Sequence, residues 1–203
     1  MHETGSITVD LAGLSRFITD TKAYQDYSLN EYEMLRYFLE QTQPRTIQIV
    51  GGFTNLDLFY AGQNLAADCE VTNWDPCTDN IFSEQTEAEI RERQHQYREA
   101  TGFRARYQWI PTLKRTEDLP PADLIWLQAN CENTPPPHDH VIMTHYGRTA
   151  LATQMAEISR HSPIRGIGRR TAVFSRTAVD ISQGPYPTRG FRFLLWPCHE
   201  VMR

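Results

Sequence analysis

The order of elements along this 203-residue chain predicts an α/β fold. The expected architecture is a three-layer, doubly wound, mostly parallel sheet with an antiparallel strand pair at its C-terminal end. Two observations carry that expectation. From Ser28 onward, short β-branched runs alternate with segments of helical periodicity, an order that needs crossover connections and hence parallel strands. The last two strand-like runs, Thr171–Ser175 and Phe191–Trp196, have no helix between them and read as antiparallel neighbours.

Each element has a local reason. Ser28 and Glu31 have capping-box spacing, and Leu29, Tyr32, Leu35, Phe38 and Leu39 recur at helical intervals as far as Gln43-Pro44. Thr46–Val50 is a β-rich run stopped by Gly51-Gly52, and Asn55–Ala66 resumes with Leu56, Leu58, Phe59 and Leu65 on helical period. Thr54 and Asp57 have capping-box spacing, which places that helix start at about Thr54. Cys69–Trp74 predicts a second strand, Ser83–Thr101 a polar helix closed by Gly102, and Arg104–Ile110 a third strand. Asp123–Leu127 and His140–Thr144 follow as the fourth and fifth strands, and Arg148–Ser162 predicts a helix that stops before Pro163. Residues 1–27 show no sustained period and are expected to form an N-terminal extension to a single α/β domain at 28–203.

Composition narrows the class. Hydrophobic residues make up 40% of the chain and aromatics 11%, which is the composition of a globular domain. The first residues lack the basic start and apolar run of a secretory signal, and nothing approaches a transmembrane span, so the expected compartment is the cytoplasm. Cys69, Cys77, Cys131 and Cys198 form no CxxC pair, which argues against a structural zinc site and a disulfide framework. His138, His140 and His145 invite a metal, but His145 falls across a strand from the other two, and no metal is expected. The net charge of −5 is uneven, because eight arginines lie between Arg160 and Arg203 against only Asp180 and Glu200.

The stretch IVGGFTN, Ile49–Asn55, lies where a doubly wound sheet meets its ligand. With the element order, it resembles the first motif of class I S-adenosylmethionine-dependent methyltransferases, in particular small-molecule O-methyltransferases, over roughly residues 28–197. In that register Gly51 takes the family's glycine, Phe53-Thr54 match, Asn55 replaces a second glycine, and Ile49 replaces an acid. The resemblance implies S-adenosylmethionine as cofactor, held by Gln48, Gly51, Gly52, Phe53 and Asn55, with Asp75 accepting the ribose hydroxyls and Gln128 near the end of the fourth strand. Asn tolerates the left-handed backbone, so the turn is expected to survive its substitution. Asp57 is read as the partner of a helix cap rather than a functional group.

The loop after the fourth strand, residues 128–133, is where the resemblance places substrate and catalytic groups. Glu132 and His145 are the candidate bases, with Asn130 and Cys131 as neighbouring polar candidates. The expected reaction is methyl transfer to an O or N nucleophile of a small-molecule or phosphate-bearing substrate. The missing acid at position 49 leaves an alternative, a non-catalytic binding or assembly protein. Its surface would be the arginine-rich end, Arg160, Arg165, Arg169, Arg170, Arg176, Arg189 and Arg192, which suits a protein partner or nucleic acid.

Overall fold

The computed structural model describes residues 29–52, 55–76, 86–112, 114–128, 135–144, 149–167, 171–185 and 192–193. Helix α1 (Leu29–Thr42) leads into β1 (Thr46–Val50), α2 (Leu56–Ala61), β2 (Glu70–Trp74), α3 (Glu87–Thr101), β3 (Arg106–Ile110), β4 (Leu124–Gln128), β5 (His140–Thr144), α4 (Thr149–Ser159), β6 (Ile164–Ile167), β7 (Thr171–Ser175) and β8 (Arg192–Phe193). All eight described strands join one sheet in the order β3-β2-β1-β4-β5-β7-β6-β8. The first five pair in parallel, with Ile47 beside Val71 on one side and Leu124 on the other, whereas β7 runs antiparallel between β5 and β6.

The expected antiparallel pair exists with different members. Thr171–Ser175 pairs with β5 and with β6, a strand the sequence reading missed, and the two described residues of the 191–196 run, Arg192 and Phe193, pair with β6 rather than with β7. The sequence IRGI hides this strand, because it is four residues long and its glycine reads as a breaker. The glycine is there for packing. A Cβ on Gly166 would meet the end of the Ile181 side chain, which would have to shift where the segment after β7 packs on β6.

Other boundaries moved for local reasons. Helix α3 begins at Thr86, where the Thr86 side chain accepts the Glu89 N–H and Glu89 reaches back to the Thr86 N–H, and it ends at Gly102 with φ 68°. Helix α2 is only 6 residues long, all buried, and gives way at Gly62, where any side chain would meet the Leu58 carbonyl and the Phe103 ring.

The sheet buries its two faces in two cores. Helices α1 and α2 cover one face, where Leu35, Phe38, Leu58 and Phe59 pack on Ile47, Ile49, Val71, Trp126 and Ile142. On the other face, Val50, Ile125, Leu127, Val141, Met143 and Phe174 pack with Ile158 of α4. The β3–β4 connection carries a single 3₁₀ turn, Thr116–Asp118, among its described residues. That second face is polar toward the β3 edge, where Thr72 and Trp74 are half-buried and Gln108 is exposed. Asp123 ties the entrance of the sheet together: its carboxylate accepts the N–H groups of Arg45 and Thr46 at 2.7 and 3.1 Å, just before β1 and β4 run side by side.

Phe59 is the pivot of the α2 core, with its ring edge-on to both Phe103 and Tyr107 at centroid distances of 5.1 and 4.9 Å. Phe59→Ala is expected to lower unfolding stability by about 3–5 kcal/mol, the range for removing a fully buried Phe, as read by urea denaturation.

Candidate functional site

The turn after β1 is built from backbone outward. Gly51 continues the parallel ladder by donating its N–H to the Trp74 carbonyl at 3.0 Å, at φ 80°, a conformation that suits glycine. The next N–H, of Gly52, donates to the Asn73 side-chain oxygen at 3.2 Å. A Cβ on Gly52 would lie 2.7 Å from that same oxygen and nearer still to the Asn55 side chain, so the position admits no side chain. Asn55 then takes the left-handed conformation, φ 54° and ψ 31°, and its carbonyl accepts the Phe59 N–H at 2.9 Å to start α2. The expectation that asparagine could stand for glycine in this turn is met by its backbone angles.

Asn55 and Asn73 converge on one phenol. The Tyr107 hydroxyl oxygen accepts Nδ2 of Asn55 at 2.7 Å and Nδ2 of Asn73 at 3.3 Å, which fastens the turn to β2 and β3 together. The remaining oxygen, Oδ1 of Asn55, is buried and has no hydrogen-bond partner among the described residues. Asn73 and Tyr107 were absent from the sequence reading, although a signal for them exists. On β2 and β3 they share the inward parity of Val71 and Trp109, and a polar residue at an inward position calls for a buried partner.

The cap of α2 is a correction. The residue capping the helix is Asn55 rather than Thr54, and it makes no side-chain cap bond. Asp57 is therefore not a cap partner: its carboxylate accepts the Leu58 N–H at 2.9 Å and Nε2 of Gln128 at 2.7 Å. The left-handed Asn55 moves the helix start one residue along, which turns Asp57 inward toward the end of β4. It is 2% exposed, and burial raises its pKa to about 6 against the opposing pull of the Leu58 and Gln128 hydrogen bonds. Thus Gln128, expected from the sequence, and Asp57, set aside there, form one buried pair.

The remaining candidates are less concentrated. Ile49, in the place of the expected acid, is fully buried in the core. Gln48 faces the opposite side of the sheet, where its Oε1 accepts Nε1 of Trp74 at 2.6 Å, and Lys114 Nζ sits 4.4 Å above that indole ring. Asp75 stands at the end of β2, its backbone held by the Ile110 carbonyl and by Nε1 of Trp109. Phe53, Asn130, Cys131, Glu132 and His145 lie outside the described residues.

Elsewhere, His140 is buried with Nδ1 3.0 Å from Ser175 Oγ, and burial lowers its pKa. Among the described residues no cluster of His, Cys, Asp and Glu could hold a metal, and no helix is long and apolar enough to cross a membrane. Two members of the arginine-rich end hold the β6–β7 hairpin: Arg165 donates to the carbonyls of Ser175 and Thr177, and Arg176 to the His161 carbonyl and Asp139. Arg169, Arg170 and Arg189 lie outside the described residues.

Solved structures share this arrangement across most of their length. A candidate O-methyltransferase from Klebsiella pneumoniae superposes with a TM-score of 0.52 at 14% identity, covering 81% of this chain and 90% of that one. The cofactor-bound Rv0187 from MTB gives 0.55 at 11% identity over 84% and 92%, and a methyltransferase from Geobacter sulfurreducens gives 0.51 at 14% over 81% and 87%. The chain has the class I methyltransferase-like fold. No family model matches it, and no curated protein matches it in sequence. Within this methyltransferase-like fold, the glycine turn, Asp75 and the Asp57–Gln128 pair all lie at the carboxyl ends of β1, β2 and β4, the edge where open α/β sheets receive ligands.

Two outcomes follow from this geometry. Gly52→Ala is expected to destabilise the protein by about 1–3 kcal/mol, since the added methyl must displace Asn55 or Asn73; urea denaturation checks it. The raised pKa of Asp57 means that the folded state holds this proton more tightly than the unfolded chain. Its contribution is therefore full below pH 4 and is lost as pH rises through 6, a fall of about 3 kcal/mol for a group moved from 3.8 to about 6. In Asp57→Asn that part of the fall between pH 4 and 7 should disappear, as read from the difference between the two pH–stability profiles.

Proposed function

We propose that this protein binds S-adenosylmethionine at the carboxyl ends of β1 and β2 and transfers its methyl group to an O or N nucleophile of a small-molecule or phosphate-bearing substrate. The observation that carries the reading is the left-handed Asn55 closing a glycine turn whose second glycine has no room for a side chain. This is the backbone shape that a cofactor loop needs, achieved without the second glycine of the related motif. The cofactor-bound state of a structural neighbour supports the same reading.

The residues present fit the group in three places. Gly51, Gly52 and Asn55 would hold its amino-acid end, and the buried, unpartnered Oδ1 of Asn55 is an acceptor in want of a donor. Asp75 would accept the ribose hydroxyls, and the Asp57–Gln128 pair would form the floor beside β4. When bound, the cofactor supplies an electrophilic methyl on a sulfonium, so the protein's own work is alignment and proton removal. Glu132 or His145 would take the proton from the nucleophile.

A second reading has its own observation. The position of the expected acid is a core isoleucine, and the Oε1 of Gln48 is engaged by Trp74 on the far face of the sheet. Both favour a binding or assembly protein that keeps the fold and has lost catalysis.

Calorimetric titration with S-adenosylmethionine and S-adenosylhomocysteine separates these readings. Saturable heat is expected from both ligands, with affinity lowered at least about tenfold in Asp75→Ala. No heat from either ligand at high protein concentration sinks the cofactor assignment. Binding without turnover across a panel of hydroxyl and amine acceptors favours the second reading.

A further inference from the structure

We infer that the groove between α3 and the edge strand β3 is a phosphate-binding site, separate from the carboxyl edge of the sheet. It encloses about 200 Å³ and is lined by Arg91, Gln94, His95 and Arg98 of the helix and by Tyr107, Gln108 and Trp109 of the strand. The helix residues fall at i, i+3, i+4 and i+7, one face of α3, and no carboxylate is among the lining side chains.

Both arginines in this groove stack on aromatic rings. Arg98 lies over Phe103 and Tyr107 at 5.9 and 5.8 Å, pairs with no carboxylate among the described residues, and keeps its Nε buried without a hydrogen-bond partner. Arg91 stacks 4.7 Å over Trp109 and donates from Nε and Nη2 to Glu87 Oε1 at 2.9 and 2.7 Å, a half-exposed pair weakened by solvent that an incoming anion would have to share. The side chain of His95 has no hydrogen-bond partner among the described residues either. A buried guanidinium nitrogen left unpaired is unfavourable, and stacking occupies only the faces of the Arg98 ion, leaving its edge for a ligand.

The donor set selects the ligand. Tyr107 and Trp109 are two residues apart on one strand, about 7 Å, so the two guanidinium groups flank a gap that one compact anion can bridge. A carboxylate offers two oxygens to this ring of donors, whereas a phosphate monoester offers three and a charge near −2. The surroundings do not suit a polyanion, because residues 86–110 carry four glutamates against five arginines. The class is therefore a single phosphate group on a small molecule. Tyr107 is shared with the turn after β1 through Asn55 and Asn73, so the anion would sit one side chain away from that turn.

The test titrates inorganic phosphate into the full chain at low salt while following the Arg side-chain Nε–Hε signals by NMR, with sodium chloride at matched ionic strength as control. A saturable shift of the Arg91 and Arg98 signals is expected with phosphate alone. Affinity should fall at least about tenfold in Arg98→Gln and in Arg91→Gln, the latter on an exposed helix position that tolerates change without unfolding. An equal response to chloride, a response that does not saturate, or Arg91→Gln retaining wild-type affinity overturns the assignment.

Discussion

The carboxamide of Asn73 is the interaction on which the functional edge depends. Its oxygen receives the Gly52 N–H and its nitrogen donates to the Tyr107 hydroxyl, so one side chain of β2 sets the turn after β1 and anchors the edge strand β3. The group is fully buried, where an unmatched amide is unfavourable and a matched one fixes its neighbours. Because Asn73 occupies the space above Gly52, that glycine has no freedom of identity, and Asn55 must turn left-handed to enter α2. The helix then begins late enough to point Asp57 at β4.

From that point the edge is a chain of buried polar contacts, each joining a different pair of elements. Asn73 joins β2 to the turn, Tyr107 joins β3 to both, and Asp57 joins α2 to Gln128 at the end of β4. Only the last of these involves a carboxylate, and its desolvation is opposed by two donors rather than by a cation. The edge is thus rigid in its neutral parts and sensitive to protonation at one place. A ligand arriving there meets a preformed turn, which reduces the ordering required on binding.

Residue pattern was enough to place β1 to β5 and helices α1, α3 and α4 to within about four residues, whereas α2 stops at Ala61 rather than Ala66 because Gly62 packs against the Leu58 carbonyl and Phe103. What it could not place was β6, where Gly166 serves a contact with Ile181, some fifteen residues further on, and therefore reads locally as a break. The same holds at the site. Gly51, Gly52 and Asn55 are contiguous, and their backbone demands can be read from residue type. Asn73, Tyr107 and the Asp57–Gln128 pair are contacts across 34 to 71 positions of sequence, visible only once strand order is known. Asp57 was misread because its spacing to Thr54 satisfied a local rule while a distant glutamine took its carboxylate.

The substitution at Ile49 bears differently on fold and on chemistry. As a core residue beside Asn73 in the β1–β2 register, Ile49 packs the sheet face that α2 covers, and an acid there would need a partner in an apolar cluster. Isoleucine therefore suits the scaffold at the position where the resembling motif has an acid. Among the described residues, the acceptors at the edge are neutral amides and the carboxylates of Asp57 and Asp75. Of these, Asp57 is already bonded to Leu58 and Gln128. The turn thus keeps its geometry through the neutral hydrogen bonds of Asn73 and Asn55 rather than through a buried ion pair, so its backbone shape and its chemistry are separable.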